Sequence, residues 1–371
     1  MNRTTYRRAL ALPAVLGLAF AVAACGASNE TSGDSGASSN STQAQLSGSL
    51  DGAGSSAQQA AQQAWAAAFS AVQPDVTVNY DPVGSGGGRE QFLAGGIAFA
   101  GSDAALKDDE LTTAEDVCGT GGVIEMPNYI SPIAVIFNLD GITTLNLGPS
   151  TIARIFNQQI TNWNDPAITA DNADQTLPDL AIAPVNRSDD SGTTKNFVDY
   201  LLAAAPDDWP YESSGVWPVA GGESAQGTSG VVSAVSGGNG TIGYADASQA
   251  GDLGVAKIGV GSEFVEYSPE AAAAVVEAST PVEGRGEYDF ALDIARDTTD
   301  SGLYPVVLVS YHIMCVENKD QETVDLLKAY FGYIISPEGQ AAAADAAGSA
   351  PISDALRTQA QTAIDALTVA G

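Results

Sequence analysis

From position 46 onward, the chain alternates short apolar runs typical of β-strands with longer runs of helical periodicity. The strand-like runs are 47–50, 76–80, 97–99, 133–137 and 306–310, and the last two are rich in β-branched residues, as buried strands are. The helical runs are 56–72, 89–93, 151–156, 323–335 and an Ala-rich stretch after Glu338. This alternation predicts an α/β fold of mixed sheets flanked by helices.

Two proline-containing dipeptides, Pro127-Asn128 and Tyr304-Pro305, mark positions where the chain can cross between two lobes. The first lobe then consists of 46–129 together with 305–371, and the second lobe of 130–304. A length of 371 residues is enough for two domains that each bury a core.

The first 24 residues have the pattern of an export signal. Arg3, Arg7 and Arg8 precede an apolar run from Ala9 to Ala24, which is shorter than the about 18 residues that a bilayer span needs. The run ends in Val22-Ala-Ala-Cys25, which resembles the lipobox of bacterial lipoproteins. We therefore predict a signal peptide over 1–24 and lipidation of Cys25; the alternative is an ordinary signal with a stray cysteine.

The segment 25–45 consists almost entirely of Gly, Ala, Ser, Thr, Asn and Gln. Such a composition cannot build a core and predicts a flexible tether. No later apolar run is long enough to span a bilayer. The expected location is extracytoplasmic, with the protein held on the outer face of the cell membrane by lipid alone.

The charge balance is strongly acidic. The chain has 14 Lys and Arg against 45 Asp and Glu, a net charge of −31, and from Cys25 onward the balance is 11 against 45, or −34. Nucleic-acid binding and docking on anionic lipid both need clustered cations, so this balance excludes them as expected functions.

Two cysteines remain if Cys25 carries lipid. Cys118 and Cys315 lie 197 positions apart, and in an oxidising compartment an even pair favours a disulfide. Two buried free thiols are the alternative.

Three loops rich in small and hydroxyl residues lie where a strand gives way to a helix. They span 52–56, 84–88 and 187–194. Backbone N–H groups, a positive helix end and hydroxyl donors together bind an oxyanion without a cation. The third loop adds Arg187, whose planar fork suits phosphate or carboxylate oxygens. The alternative is that each loop is only a helix cap.

Asp103 follows the strand-like run 97–99 and its carboxylate would repel an anion. In a binding site it would accept a hydrogen bond from a protonated oxyanion, so hydrogen phosphate would bind and fully ionised sulfate would be rejected. The alternative is that Asp103 caps the segment 104–109.

Other chemistries have weaker support. The stretch from Gly52 to Ala57 fits a dinucleotide-binding fingerprint, with Asp81 as the ribose-binding acid, but an exported protein has poor access to such a cofactor. His312 is the only histidine and lies in an apolar run, where a core position is expected. No spacing of Cys, His or carboxylates indicates a metal site. We expect no cofactor and no catalysis.

At these loops the sequence resembles the phosphate-binding lipoproteins of the bacterial phosphate-specific ABC transporter. The matching stretches cover nearly all of 46–371: Gly52-Ala-Gly54, Gly84-Ser-Gly-Gly87 with Gln91-Phe-Leu-Ala-Gly95, Gly101-Ser-Asp-Ala104, Asn162-Trp-Asn-Asp-Pro-Ala-Ile168, Arg187-Ser-Asp-Asp-Ser-Gly-Thr-Thr194 with Phe197, and Gly240-Thr-Ile-Gly-Tyr244.

The resemblance implies a two-lobed periplasmic-binding-protein fold of type II that closes on one phosphate in the cleft between the lobes. The residues that it implies as phosphate ligands are Ser55, Ser56, Ala57, Ser85, Asp103, Arg187, Ser191, Gly192 and Thr193. Asp189 would orient Arg187. The family usually has Thr-Phe where this chain has Ser56-Ala57, so packing at the first loop differs.

The function that the resemblance implies is high-affinity binding of inorganic phosphate and its delivery to the permease subunits of an ABC transporter, by a monomer. Two alternatives remain open at this stage. One is a phosphate sensor or surface protein on the same fold, and the other is a secreted phosphatase that reuses the site.

Overall fold

The structure is a computed structural model that describes residues 45–371. The predicted signal peptide, the lipidation of Cys25 and all but the last residue of the predicted tether lie outside the described residues. None of the helices within 45–371 is both long and apolar enough to cross a membrane.

Strands and helices alternate along the described residues, as the sequence pattern predicts. The strands are β1 (Ser47–Gly54), β2 (Asp75–Asp81), β3 (Phe99–Ser102), β4 (Val123–Asn138), β5 (Thr144–Leu147), β6 (Ala183–Arg187), β7 (Glu223–Ala225), β8 (Thr241–Asp246), β9 (Gly254–Val260), β10 (Glu263–Val265), β11 (Thr280–Pro281), β12 (Leu292–Asp293), β13 (Val307–Cys315), β14 (Glu317–Asn318) and β15 (Thr368–Val369). The helices are α1 (Gln59–Val72), α2 (Ser85–Leu93), α3 (Asp108–Cys118), α4 (Pro149–Phe156), α5 (Pro166–Asp171), α6 (Gly192–Ala204), α7 (Gly227–Gly237), α8 (Pro269–Glu277), α9 (Gln321–Ile335), α10 (Pro337–Ala347) and α11 (Asp354–Ala366).

Several helices begin where a short polar side chain accepts a hydrogen bond from the backbone N–H three residues later. Such caps satisfy donors that have no partner within the helix, which is why these residue types mark helix starts in the sequence. The capping residues of α6, α8, α9, α10 and α11 are Ser191, Ser268, Asp320, Ser336 and Ser353.

The main sheet has eleven strands, and its principal order is β2-β1-β3-β13-β4-β8-β6-β7. Strand β9 pairs with β4 and in turn carries β5 and β10. The parallel strands β2, β1 and β3 form one end, and β8, β6 and β7 form the other. The fold is mixed α/β, as predicted.

The long strands β4 and β13 join the two ends of the sheet. They pair antiparallel from Val307 opposite Pro132 to Cys315 opposite Val123. The second part of β4, from Ile133 onward, pairs with β8 instead. The predicted crossing at Pro127 therefore lies within a continuous strand, and the crossing at Pro305 lies just before β13.

A disulfide joins Cys118, the last residue of α3, to Cys315, the last residue of β13. The two Cα atoms are 5.0 Å apart, although 197 positions separate them along the chain. The bond connects the two segments that the sequence predicts as the halves of the first lobe.

Three predicted boundaries near the site are wrong. Helix α2 begins at Ser85 and not at Arg89, so the glycine run forms its first turns. These glycines let α2 lie on β1, since a Cβ on Gly88 would meet the Ala53 carbonyl oxygen at 2.7 Å. Strand β3 starts at Phe99 and not at position 97, and the pairing of Phe99 with Gly52 sets its register. Helix α1 starts at Gln59 and not at position 56, because a turn in which Ser55 accepts from the Ala57 N–H precedes it.

The single histidine lies in the core, as predicted. His312 is 0% exposed on β13, and its ring packs edge-on against Trp65, Phe99 and Phe331. Burial lowers the pKa of His312 to about 3, so the ring is neutral at ordinary pH.

Candidate oxyanion-binding site

Asp103 contacts two other predicted site residues, Ser85 and Thr193. It directly follows β3 and is 3% exposed. Its Oδ2 accepts a hydrogen bond from Thr193 Oγ1 at 3.0 Å, and its Oδ1 accepts one from Ser310 Oγ at 2.6 Å. Its backbone N–H donates to Ser85 Oγ at 3.1 Å. The interpretation of Asp103 as a cap of the segment 104–109 is wrong, because both carboxylate oxygens are used across the fold.

Arg187, the last residue of β6, is held by Asp189. Its Nε donates to Asp189 Oδ1 at 2.8 Å, and its Nη2 donates to Oδ2. The Gly227 N–H also donates to Oδ1, at 3.1 Å. Burial alone raises the pKa of Asp189, but the hydrogen bonds and charge of Arg187 outweigh it and hold this pKa below its usual value. Asp189 therefore stays ionised and contacts the guanidinium through both carboxylate oxygens.

The N-terminus of α6 directly follows this pair. Ser191 Oγ accepts from the Thr194 N–H at 3.2 Å, which leaves the Ser191 hydroxyl proton and the first helical N–H groups for other partners. Gly192 is required by close packing, because a Cβ there would lie 2.6 Å from Ser85 Oγ and 2.7 Å from Asp103 Cβ. The structure thus brings together four predicted site residues, Ser85, Asp103, Gly192 and Thr193.

Tyr244 contacts the loop 187–194. Its ring stacks on Phe197 with centroids 4.5 Å apart. Its hydroxyl accepts a hydrogen bond from the Arg187 N–H at 3.3 Å and contacts Thr194 Oγ1 at 2.8 Å. The Tyr244 hydroxyl therefore contacts both ends of the loop 187–194, and stacking on Phe197 fixes the orientation of the Tyr244 ring.

The first loop has a different set of contacts from those that the sequence predicts. Ser55 Oγ accepts from the Ala57 N–H at 3.1 Å, so both groups are used within the turn. Ser56 Oγ lies 3.0 Å from Thr228 Oγ1 and accepts from the Thr228 N–H at 3.0 Å. The hydroxyl of Ser56 therefore contacts α7. Ala57 is fully buried in the core.

Packing accounts for the glycines that match a dinucleotide fingerprint. A Cβ on Gly52 would collide with the Phe99 ring, and one on Gly54 would collide with the Gly101 carbonyl oxygen. Gly54 also has a φ of 146°, which an L side chain rarely adopts. These glycines allow β1 and β3 to approach, so no nucleotide is needed to explain them.

Several residues of the site are absent from the prediction. Ser310 and Thr228 contact predicted site residues directly, and the Asn196 side-chain amide donates to the carbonyl oxygens of Asp103 and Gly192. Arg296 Nη2 donates to Asn196 Oδ1, so a buried guanidinium supports this amide. The one available signal is that Ser310 is the polar residue at the end of the apolar run 306–310.

A cleft of about 1150 Å³ adjoins Asp103. Its lining includes Lys195 and Asn196 of α6, together with Arg285 and Arg296. Its cations already have partners: Lys195 Nζ lies 2.7 Å from Asp199, and Arg285 lies 2.6 Å from Glu125. Within residues 45–371, no group of three or more His, Cys, Asp or Glu is arranged to hold a metal ion.

Comparison with known proteins gives the class. Residues 39–338 match a family model described as a PBP superfamily domain, so the chain belongs to this superfamily. Over 310 residues the chain is 36% identical to phosphate-binding protein PstS 3 of Mycobacterium tuberculosis strain H37Rv, with 81% of each chain covered. It is 34% identical over 303 residues to PstS2 of Mycobacterium bovis BCG, with 80% of each covered. The chain is therefore a member of the PstS family.

Solved structures share the fold. A periplasmic phosphate-binding protein, PfluDING, solved with phosphate bound, matches with a TM-score of 0.69 at 21% identity, covering 85% of this chain and 93% of that one. A phosphate-binding protein from Stenotrophomonas maltophilia matches with a TM-score of 0.65 at 19% identity and the same coverage. The predicted two-lobed binding-protein fold and the predicted family are both confirmed.

Proposed function

We propose that this protein binds inorganic phosphate outside the cytoplasm and delivers it to the membrane permease of a phosphate ABC transporter. Its curated relatives are named as phosphate-binding proteins. The observation that carries the proposal is the hydrogen bond between Asp103 and Thr193, because it brings a buried carboxylate acceptor onto the N-terminus of α6.

We assign the phosphate oxygens to the predicted set of residues. Arg187 donates from its charged fork, and the N-terminus of α6 contributes backbone N–H groups with its positive dipole end. Asp189 acts through Arg187 by fixing its orientation. The proposed ligands are Ser85, Asp103, Arg187, Ser191, Gly192 and Thr193. The predicted Ser55, Ser56 and Ala57 join this set only if phosphate replaces their contacts within the turn and with Thr228.

Asp103 supplies selectivity in this assignment. Each oxygen of an ionised carboxylate can accept more than one hydrogen bond, so Asp103 has acceptor capacity beyond Ser310 and Thr193. Hydrogen phosphate can donate a proton to that acceptor. Fully ionised sulfate cannot, and it would leave two acceptors facing each other in a buried site.

Binding is proposed to draw the two lobes together. With the lobes placed at 46–129 plus 305–371 and at 130–304, contacts cross between them at Asp103–Thr193, at Ser56–Thr228, and from the Gly86 N–H to the Asp190 carbonyl oxygen at 3.1 Å. A ligand held by both lobes favours this closed arrangement by its differential affinity.

Delivery needs no chemistry from this chain, which we propose to be a binding protein without catalytic turnover. Lipidation of Cys25 would hold the monomer at the outer face of the cell membrane, next to the permease. A lipid-modified cysteine with several acyl chains anchors more firmly than a single chain does.

Calorimetric titration of the purified protein tests the function. Phosphate should bind tightly and release or absorb measurable heat, and excess sulfate should not compete. A protein that gives neither heat nor a thermal shift with phosphate would contradict the proposal. Hydrolysis of a phosphomonoester by the same preparation would favour a phosphatase instead.

A further inference from the structure

A row of buried polar side chains leads from Asp103 into the core of the first sheet end. Its members are Ser310, Gln58, Gln62, His312 and Tyr330, and each of them is at most 2% exposed. Buried polar groups cost free energy unless they are hydrogen-bonded, so a row of this length must be satisfied internally.

The direction of the first two hydrogen bonds follows from donor chemistry. Gln58 Nε2 lies 2.5 Å from Ser310 Oγ, and an amide nitrogen can only donate. Ser310 Oγ therefore accepts from Gln58. Its single proton is then directed to Asp103 Oδ1, 2.6 Å away.

The next groups fix the orientation of Gln58. Gln62 Nε2 donates to Gln58 Oε1 at 2.8 Å, which turns the Gln58 nitrogen toward Ser310. Tyr330 donates its hydroxyl proton to Gln62 Oε1 at 3.1 Å, so the Gln62 amide nitrogen points toward Gln58. Donors thus follow one another from Tyr330 to Asp103, and aligned hydrogen bonds strengthen each other.

His312 completes the row as a neutral acceptor. Its Nε2 lies 2.5 Å from Gln62 Nε2, so this ring nitrogen must accept. The proton is then on Nδ1, which donates to Asn128 Oδ1 at 2.7 Å. A charged imidazolium would place two donors against each other, and the low pKa of His312 prevents this at ordinary pH.

We propose that Ser310 is a positioning residue for anion selectivity: directed by Gln58, its hydroxyl donates to Asp103 Oδ1 and holds the Asp103 carboxylate as an acceptor toward the ligand, so that the ligand must supply the proton. The inference rests on the proposed phosphate function and extends it to a residue in a different strand. Ser310 does not have to touch the ligand for this role.

Loss of the Ser310 hydroxyl removes a donor from a buried carboxylate. Asp103 Oδ1 then has no fixed donor, so the carboxylate can turn away from the ligand. A carboxylate that turns away no longer places an acceptor against a fully ionised oxyanion, so sulfate is rejected less strongly. Selectivity for phosphate over sulfate is therefore expected to fall.

The ionisable groups that surround Asp103 are the same in wild type and in the Ser310 variants. Burial raises the pKa of Tyr80 and of Tyr129 well above the usual value, so both stay neutral at ordinary pH. Arg296 reaches the Asp103 carbonyl oxygen through Asn196. Burial raises the pKa of Asp246, which accepts from Tyr129, to about 6. All four groups are unchanged by substitution of Ser310.

The test is calorimetric titration of the full chain with phosphate and with sulfate, in the same buffer, in wild type and Ser310→Ala. We expect the ratio of phosphate to sulfate affinity to fall by about tenfold or more, as for loss of a hydrogen bond to a charged group. Ser310→Thr keeps the hydroxyl and should restore the ratio. Ser349→Ala removes a buried hydroxyl just beyond α10 and should leave the ratio unchanged.

Gln58→Met provides a second variant if Ser310→Ala does not fold. It leaves Ser310 in place but frees its proton to turn away, so the ratio should fall in the same direction by a smaller factor. If wild type binds phosphate and folded Ser310→Ala or Gln58→Met keeps the same selectivity, the role of Ser310 is overturned but the proposed function is not. Absence of phosphate binding by wild type would instead overturn the proposed function.

Discussion

Asp103 and Thr193 are joined by a hydrogen bond of 3.0 Å, although 90 positions separate them along the chain. Asp103 follows a strand of the first sheet end, and Thr193 lies in the first turn of α6. One hydrogen bond thus places a negative acceptor next to a positive helix end. This combination of opposite polarities is what a protonated anion requires.

The first prediction concerns Asp103→Asn. The amide nitrogen can donate to any oxyanion, so sulfate should begin to compete while phosphate affinity falls by about tenfold to a hundredfold. Competition calorimetry measures both effects. Phosphate affinity and sulfate rejection that both match wild type would contradict the assignment of Asp103.

The second prediction concerns Arg187→Lys. A lysine keeps the charge but cannot make the two-pronged contact with Asp189, so phosphate affinity should fall by about tenfold or more. The matched control is Arg154→Lys on α4, since Arg154 forms no ion pair within the described part of the chain. Equal affinities of the two variants would argue against Arg187 as a ligand.

The third prediction concerns Gly192→Ala. The new Cβ would press on Ser85 Oγ and Asp103 Cβ, so it should push α6 away from the first loops and weaken phosphate binding. Gly332→Ala on α9 is the control, because its Cβ would have no atom within 4 Å. There we expect unchanged binding and a gain of about 0.5–1 kcal/mol in the free energy of unfolding, measured by urea denaturation. Normal phosphate binding by Gly192→Ala would show that this close approach is not required.

The fourth prediction concerns the disulfide. Replacement of Cys118 and Cys315 together by Ser should lower the melting temperature, since a closed loop of 197 residues is worth up to roughly 5 kcal/mol in the chain-entropy model. Phosphate affinity of the folded variant should change little. Reduced wild type is the comparison, and a melting temperature equal to that of the oxidised protein would contradict the prediction.

The fifth prediction concerns the pH dependence of stability. Burial and the nearby Asp289 carboxylate raise the pKa of Glu125 to about 8, although Arg285 contacts it at 2.6 Å. The folded state then holds a proton that the unfolded state releases from about pH 4.5 upward. The contribution of this group to stability is therefore full at low pH and declines as the pH rises toward 8.

Glu125→Gln tests this sign. The amide resembles the protonated acid, so urea denaturation at pH 5, 6.5 and 8 should show a shallower decline in the free energy of unfolding than in wild type. Glu277→Gln, an exposed substitution on α8, should decline as wild type does. An equal decline in Glu125→Gln and wild type would show that the carboxyl is already ionised in the folded state over this pH range.

Much of the site could be predicted because its chemistry is local in sequence. The loop 187–194 contains its own charged fork, the carboxylate that orients it and the serine that caps the next helix. Hydroxyl and glycine positions at strand ends likewise indicate helix starts that can bind anions. The boundaries near α2 could not be read in this way, because the helical path of the glycine run depends on packing against β1.

The sequence by itself determined the alternation of strands and helices, the helix caps, the family motifs and the burial of His312, because each depends on neighbours within a few positions or on hydrophobicity alone. Only the tertiary structure decided which side chains hold Asp103. Strand β13 lies beside β3 in the sheet, and this pairing brings Ser310 to a carboxylate 207 positions away. Hydrogen bonds between distant segments depend on strand order and register, which local patterns do not encode.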